Sequence, residues 1–248
     1  MNKRTPAHLV LKSAVLFLSL LCFYPLSATN PQKKEMKELN VKKVSLANVA
    51  VENVPALLDK EKVDFQSINT VNWKAFPYQP EVQFRIAHTD GAILIHYKVK
   101  EASVRAVATG DNGAVWEDAC VEFFSIPAGD GIYYNVECNC VLIVAGGGRS
   151  NREHAPQEVM DKVQRWSSLG RESFEERVGA CNWELALVIP YSAFFKHQIT
   201  SLDGKTVRAN FYKCGDKLQT PHFLSWNPIN LEKPNFHCHE FFGTLNFE

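Results

Sequence analysis

The chain has 248 residues, 46% of them hydrophobic and 22% charged, an ordinary composition for a globular protein. This length can bury one sizeable β domain or two small ones. Its 27 basic and 27 acidic side chains balance, which excludes the strongly basic surface typical of a nucleic-acid-binding protein.

The first 28 residues have the pattern of a secretory signal peptide. The basic start MNKR is followed by the apolar run SAVLFLSLLCFYPLSA, which ends in small residues. This run is shorter than the ~20 residues that span a bilayer, and we find no longer apolar run after it. We predict Sec-type export to the periplasm or the medium, with cleavage near Ala28 and no membrane span. The leader holds three basic residues and no acid, so the mature chain would carry 24 basic and 27 acidic side chains.

After the leader, the pattern predicts a tail followed by strands. Residues 29–45 are lysine-rich, lack aromatic residues and show no sustained period, so we expect a flexible N-terminal tail. From Val82 the sequence alternates in VQFRIAH, turns at TDG and alternates again in AILIHYKV, which predicts a hairpin. A second hairpin follows in CVEFFSI, PAGDG and IYYNVECN.

Only one segment, PQEVMDKVQRWSSL, has helical spacing, with Pro156 at its start and apolar residues along one face. With roughly ten short strands in all, we predict an all-β fold with one short helix near 156–169. The architecture would be an antiparallel β-sandwich of jelly-roll or DOMON-like type, forming one domain over residues 46–248.

The cysteines permit a disulfide, because an even number remains after the leader in an exported chain. The six are Cys120, Cys138, Cys140, Cys181, Cys214 and Cys238. If the second hairpin centres on Gly129, Cys120 lies opposite Cys138, which makes this pair the first candidate. The domain is large enough to fold without such bridges, so we expect at most one.

Carboxylates in the second hairpin raise the alternative of a glycoside hydrolase, which needs two of them facing a scissile bond. The candidates are Glu117, Asp118, Glu122, Asp130 and Glu137. Glu122 and Glu137 lie on adjacent predicted strands. A single hairpin often carries two acids, however, and the sequence contains neither the GxSxG nor the HExxH motif.

Calcium is a further alternative, because Asp111, Asn112 and Asp118 cluster hard oxygen ligands around the loop GDNG. Turn chemistry alone also explains these residues. Zinc at His237, Cys238 and His239 is disfavoured, since contiguous strand residues point to opposite faces.

The stretch VWEDACVEFF suits a sugar, which presents an apolar face and a rim of hydroxyl groups. Trp116 offers an aromatic plane, and Glu122 offers a carboxylate that hydrogen-bonds hydroxyls. Alternation along this strand predicts Val121 and Phe123 in the core and Glu122 on the opposite face. A structural role for Trp116, as a lid on the core, is the alternative.

Five stretches in this order resemble a family 9 carbohydrate-binding module, and more closely the stand-alone family-9-like proteins exported by bacteria. They are VWEDACVEFF, YYNVECN, ANFYKCGD, FLSW and PNFHCHEFFG, and the resemblance covers roughly residues 65–248. The most specific signatures are W-E-D-x-x-V-E-F-F at 116–124 and F-F-G-x-L-x-F at 241–247.

The resemblance implies a β-sandwich that binds a mono-, oligo- or polysaccharide between two aromatic rings, without catalysis of its own. It also implies bound calcium in some members, and a polysaccharide-degrading enzyme on another chain as a partner. The implied site residues are Trp116, Glu122, Asn235 and Phe236, with Tyr212, Asn139 and Arg85 as further residues lining the same face. Phe236 departs from the family pattern, which has tryptophan at this position. Trp183 and Trp226 are predicted to pack in the core or at its edge.

Overall fold

The computed structural model describes residues 35–45, 50–141, 143–147 and 153–248, together with Met1, and residues 143–147 by their backbone alone. The described residues from 35 onward belong to one compact unit. The predicted leader and the first part of the predicted tail lie outside the described residues. Within the described residues, none of the helices has the length and apolarity needed to cross a bilayer.

Strands dominate the described residues, and helices are short. The strands are β1 (Glu38–Lys43), β2 (Gln66–Ser67), β3 (Thr70–Val71), β4 (Glu81–His88), β5 (Ala92–Ala106), β6 (Cys120–Ile126), β7 (Tyr134–Asn139), β8 (Ile143–Gly147), β9 (Gln164–Ser167), β10 (Phe174–Pro190), β11 (Thr206–Cys214), β12 (Phe223–Ser225) and β13 (Gly243–Phe247). The α-helices are α1 (Val54–Lys60) and α2 (Gln157–Met160), and 3-10 turns occur at Val51–Asn53, Val115–Glu117, Tyr191–Ala193 and His239–Phe241.

The strands follow the order β8-β7-β6-β11-β13-β1-β4-β5-β10-β9. β1 joins two halves: its first residues pair with β13 and its last two with β4, both in parallel, whereas the other pairings are antiparallel. Residues 38–43 are therefore a paired strand and not part of a flexible tail. Their own pattern is weak because only Val41 is fully buried, and the partners that stabilise them come from distant parts of the chain.

The main core lies between the two halves. Phe84 on β4 and Phe211 on β11 stack with their ring centroids 3.6 Å apart at 18°. Val121 and Phe123 on β6 belong to this core, as alternation predicts. Trp183 and Trp226 are each 1% exposed within it. The predicted all-β sandwich is confirmed.

A buried ion pair also crosses between the halves. Lys213 Nζ on β11 lies 2.9 Å from Glu101 Oε2 on β5, and both side chains are fully buried. Trp183 Nε1 donates to Glu101 Oε1, and Lys213 Nζ donates to His222 Nε2 at 2.9 Å. Burial, and then the Lys213 charge, lowers the pKa of His222 to about 3, so its imidazole is neutral and accepts this bond. Such a pair needs these extra hydrogen bonds to offset the cost of leaving water.

The predicted helix near 156–169 is shorter than expected. Only Gln157–Met160 is α-helical, and Gln164–Ser167 forms β9, which pairs with the edge of β10. Trp166, predicted on the helical face, is half-buried on this strand instead. The pairing edge offered by β10 overrides the local helical spacing, as tertiary context often does. The 7-residue helix α1 was not predicted.

The predicted pairing of Cys120 with Cys138 is wrong by one residue. In the β6–β7 hairpin Cys120 lies opposite Asn139, and Val121 lies opposite Cys138. A shift of one residue moves a side chain to the other face of a sheet, so these two thiols point in opposite directions. All six cysteines after the leader are unpaired among the described residues.

Candidate functional site

A cleft of about 350 Å³ opens on the face of β6, β7 and β11 that is turned away from the main core. It is lined by Trp116, Glu122, Asn135, Glu137, His154, Cys214, Asp216, Phe223, Pro234, Asn235, Phe236 and His237. Four residues predicted to bind sugar, Trp116, Glu122, Asn235 and Phe236, are thus brought together.

Trp116 lies at the rim of this cleft. The 3-10 turn Val115–Glu117 buries Val115 and leaves Trp116 39% exposed. Among the described residues the other exposed large hydrophobic side chains are Met1 and Val178, neither of which lines the cleft. The carbonyl of Trp116 accepts the amide of Asp216 at 3.2 Å, which ties the turn to the end of β11. An exposed indole held by its backbone is suited to contact a ligand rather than to cover the core.

Phe236 forms a second aromatic wall. Its ring stacks on the buried Tyr212 with centroids 4.2 Å apart at 6°, and Tyr212 Oη donates to the Phe236 carbonyl at 3.3 Å. The ring of Trp73 also packs against Phe236, with the two centroids 6.1 Å apart. Phe236 is therefore fixed in one orientation. Tyr212 was predicted to line the cleft but does not line it. Instead it supports Phe236, which does.

The floor of the cleft carries two neighbouring carboxyl groups. Glu122 and Glu137 are directly opposite in the β6–β7 register and are 3% and 4% exposed. Glu122 Oε1 accepts the Cys214 thiol at 3.0 Å, and Asn135 Nδ2 donates to Glu137. Burial, and then the charge of Glu137, raises the pKa of Glu122. A protonated carboxyl can donate as well as accept a hydrogen bond from a hydroxyl group.

The segment 234–237 closes one side of the cleft. Asn235 is exposed, and its side-chain oxygen accepts the His237 amide at 2.9 Å, which holds the segment in a turn. His237 Nδ1 lies 2.9 Å from Tyr133 Oη, and its ring packs on Phe124. Phe124 and Cys120, apolar neighbours of Glu122 on this face, are buried in a second cluster that includes Phe236.

Arg85 lies outside the cleft, contrary to the prediction. It is on β4, in the half of the sheet that does not form the cleft, where it bonds Asp59 Oδ1 at 2.6 Å and the Pro55 carbonyl at 2.8 Å. Its guanidinium thus fastens helix α1 to the sheet. Alternation along β4 does not reveal which half of the sandwich the strand joins, so this position of Arg85 cannot be predicted from the local pattern.

Asn139 also lies outside the cleft, because Asp118 holds it. Asn139 Nδ2 donates to Asp118 Oδ2 at 2.9 Å, and the same oxygen accepts the amides of Val107 and Ala108. Asp118 Oδ1 lies 3.0 Å from the Arg105 guanidinium. Asp118 is therefore neutralised by a guanidinium at Oδ1 and holds three N–H groups at Oδ2, which gives it a structural role in joining β5 to β6.

The other residues predicted to bind calcium are similarly occupied. Asp111 is paired through both carboxylate oxygens with the Arg165 guanidinium. Asn112 Oδ1 lies 3.1 Å from His154 Nδ1, and its Nδ2 donates to the Ala155 carbonyl. Carboxylates already neutralised by a guanidinium do not fit a calcium site, which requires several free oxygens.

The sequence indicated some of the remaining lining residues only indirectly. Glu137 is one of the candidate hydrolase carboxylates on the predicted hairpin, but the predicted register, one residue off, does not place it opposite Glu122. Asp216 follows β11 by two residues. His154 comes from a distant segment that carries no local signal. Phe223 begins the stretch FLSW, which contributes to the family resemblance but holds no predicted site residue.

Comparison with known proteins identifies the family. The profile of carbohydrate-binding family 9 matches residues 52–247. The chain belongs to this family. Its sequence is 64% identical to that of a candidate carbohydrate-binding protein from Bacteroides uniformis whose crystal structure is known. The two structures align with a TM-score of 0.84, and the alignment covers 86% of this chain and 100% of that one. No curated protein sequence matches it significantly.

Two family 9 modules from Caldicellulosiruptor kristjanssonii share the fold at low identity. One, in complex with cellotriose, is 12% identical with a TM-score of 0.55 and covers 86% of this chain and 94% of the module. The other, in complex with glucose, is 11% identical with a TM-score of 0.53 and covers 86% and 96%. They support the fold of this family 9 protein.

The paired carboxyl groups predict an unusual pH dependence of stability. In the unfolded chain Glu122 ionises near its ordinary pKa of about 4.3, whereas in the folded chain it keeps its proton to higher pH. The folded state therefore binds more protons, and the free energy of unfolding falls as pH rises through this window, by up to ~1.4 kcal/mol per pH unit. Glu122→Gln removes this loss, so its stability relative to the wild type should increase with pH.

Urea denaturation at several pH values, with EDTA present to remove metal ions, measures this difference. Glu158→Gln, at an exposed carboxylate that forms no ion pair among the described residues, is the control and should show no trend. If the difference in free energy of unfolding between Glu122→Gln and the wild type stays constant from pH 5 to pH 8, the raised pKa of buried Glu122 is contradicted.

Proposed function

We propose that this family 9 protein binds a sugar in the cleft, with the sugar ring against Trp116 and Phe236 and its hydroxyls bonded by Glu122 and Asn235. The exposed indole of Trp116 carries this proposal, because an aromatic plane in water beside buried carboxyl groups matches the two surfaces of a sugar. Glucose and cellotriose, found in complexes of distant relatives, are the first ligands to test.

Binding is favoured over hydrolysis by the position of the two buried carboxyl groups. Glu122 and Glu137 are cross-strand neighbours on the same floor. In glycoside hydrolases the two carboxylates flank the scissile bond, about 5 Å or 6.5–9.5 Å apart, with the sugar between them. Membership of a carbohydrate-binding family agrees with a non-catalytic role. Catalysis on a polysaccharide would then be supplied by an enzyme on another chain.

We also propose that the protein acts outside the cytoplasm. The basic start, the apolar run and the small residues before Thr29 support removal of a leader during export.

Sugar binding should depend on Trp116. Calorimetric titration with a panel of mono- and oligosaccharides is expected to show saturable binding that weakens at least tenfold, about 1.4 kcal/mol, in Trp116→Ala, since central aromatic contacts dominate binding energy. Trp166→Ala is the matched control, because it removes the same side chain from a half-buried site outside the cleft. Equal weakening in both variants, or hydrolysis of the titrated oligosaccharide, would contradict the proposal.

Export predicts a processed N-terminus. When the full chain is expressed in a bacterial host, the protein recovered from the periplasm or medium should begin at or near Thr29, as read by intact mass. A protein that retains Met1 and stays with the cytoplasmic fraction would contradict export.

A further inference from the structure

Three side chains with metal-binding atoms converge beneath the cleft. Cys120 Sγ, a Glu122 carboxylate oxygen and Cys214 Sγ all lie within 4.8 Å of one another. Their residues are 0%, 3% and 1% exposed. Among the histidine, cysteine, aspartate and glutamate residues of the described chain, this is the one group of three that is close enough to share an ion.

The strands themselves bring these atoms together. Cys120 and Glu122 are two residues apart on β6 and therefore point to the same face. Cys214 on β11 lies directly opposite Cys120 in the register. Both strands are central in the sheet, so the three ligands are held by backbone pairing on two sides and need no loop movement to meet. Cys214 also lines the cleft, which gives an ion a path to the site.

The charge around the three ligands favours a cation. Glu122 has Glu137 as its cross-strand neighbour, and within the described residues no lysine, arginine or histidine forms an ion pair with Glu122. The nearby Lys213 is engaged by Glu101. A buried carboxylate must be paired with a cation or hold a proton. Here the Cys214 thiol donates a hydrogen bond to Glu122 but brings no positive charge.

We propose that the floor of the cleft binds one thiophilic divalent cation of the zinc class through Cys120 Sγ, Cys214 Sγ and the Glu122 carboxylate. Two sulfur ligands and one carboxylate suit zinc, whereas calcium and magnesium take oxygen ligands alone. Each thiol binds as a thiolate and gives its proton to the buffer. Three protein ligands leave the fourth position open toward the cleft. The site uses Glu122, which the proposed sugar site also uses, but it can be tested without any sugar.

Cobalt is the probe, because Co²⁺ occupies zinc sites and reports thiolate ligands by an intense sulfur-to-metal charge-transfer band in the near ultraviolet. Titration of the reduced, metal-free protein should give this band at one equivalent of Co²⁺, and one equivalent of Zn²⁺ should abolish it. Cys214→Ala leaves one thiolate, so it should weaken Co²⁺ binding and reduce the band. The matched control is Cys138→Ala, an equally buried thiol on the core side of the same sheet.

Two further variants replace a ligand conservatively, so that weaker binding is not explained by unfolding. Cys120→Ser keeps a small polar group and should weaken Co²⁺ binding and reduce the band. Glu122→Gln keeps both thiols, so the band should remain while affinity falls at least tenfold. Circular dichroism identifies variants that remain folded.

Three results would overturn the proposal. They are Co²⁺ bound without the charge-transfer band, a band that persists in a Cys120→Ala, Cys214→Ala double variant, and a Cys120–Cys214 disulfide in the protein as purified without reductant. In the last case a disulfide would take the place of the metal. None of these results bears on sugar binding, which the Trp116→Ala titration tests separately.

Discussion

The alternation of side chains along β6 and β11 is the constraint on which both the core and the cleft depend. Phe123 and Phe211 point into the core between the two halves, where Phe211 stacks on Phe84. Glu122 and Tyr212, their neighbours in sequence, point to the other face. Because both faces of these strands are buried, the polar groups of the cleft are fixed by the same backbone that fixes the core. A slip of one residue in this register would exchange the two sets.

The two faces handle charge differently. On the core side, Lys213 and Glu101 neutralise each other, and Trp183 and His222 complete their hydrogen bonds. On the cleft side, Glu122 accepts hydrogen bonds from thiols of the described residues and faces a second carboxyl group. The first arrangement stabilises the fold without a ligand. The second places two carboxyl groups at the surface of a cleft, where they can hydrogen-bond the hydroxyl groups of a sugar or bind a cation, as proposed above.

Local pattern predicted the elements whose partners are adjacent in sequence. The β6–β7 hairpin and the buried Phe123 follow from alternation and turn residues, whereas a ligand-facing Trp116 follows only from the family resemblance. Distant partners determined the rest: β1 pairs with the end of the chain, β9 with the edge of β10, and Asp111 with Arg165, 54 residues away. A one-residue difference in the hairpin loop, which local signals do not fix, places Asn139 and not Cys138 opposite Cys120.

The central claim is that the cleft beside Trp116 holds the sugar, and the indole N–H signals of the five tryptophans test it directly. In a nitrogen-15 NMR titration with a sugar that binds, the Trp116 signal should shift with saturation. Trp73, which packs on Phe236, should shift less, and the buried Trp183 and Trp226 should stay in place. Saturable binding that leaves the Trp116 signal unmoved would place the sugar elsewhere and contradict the account.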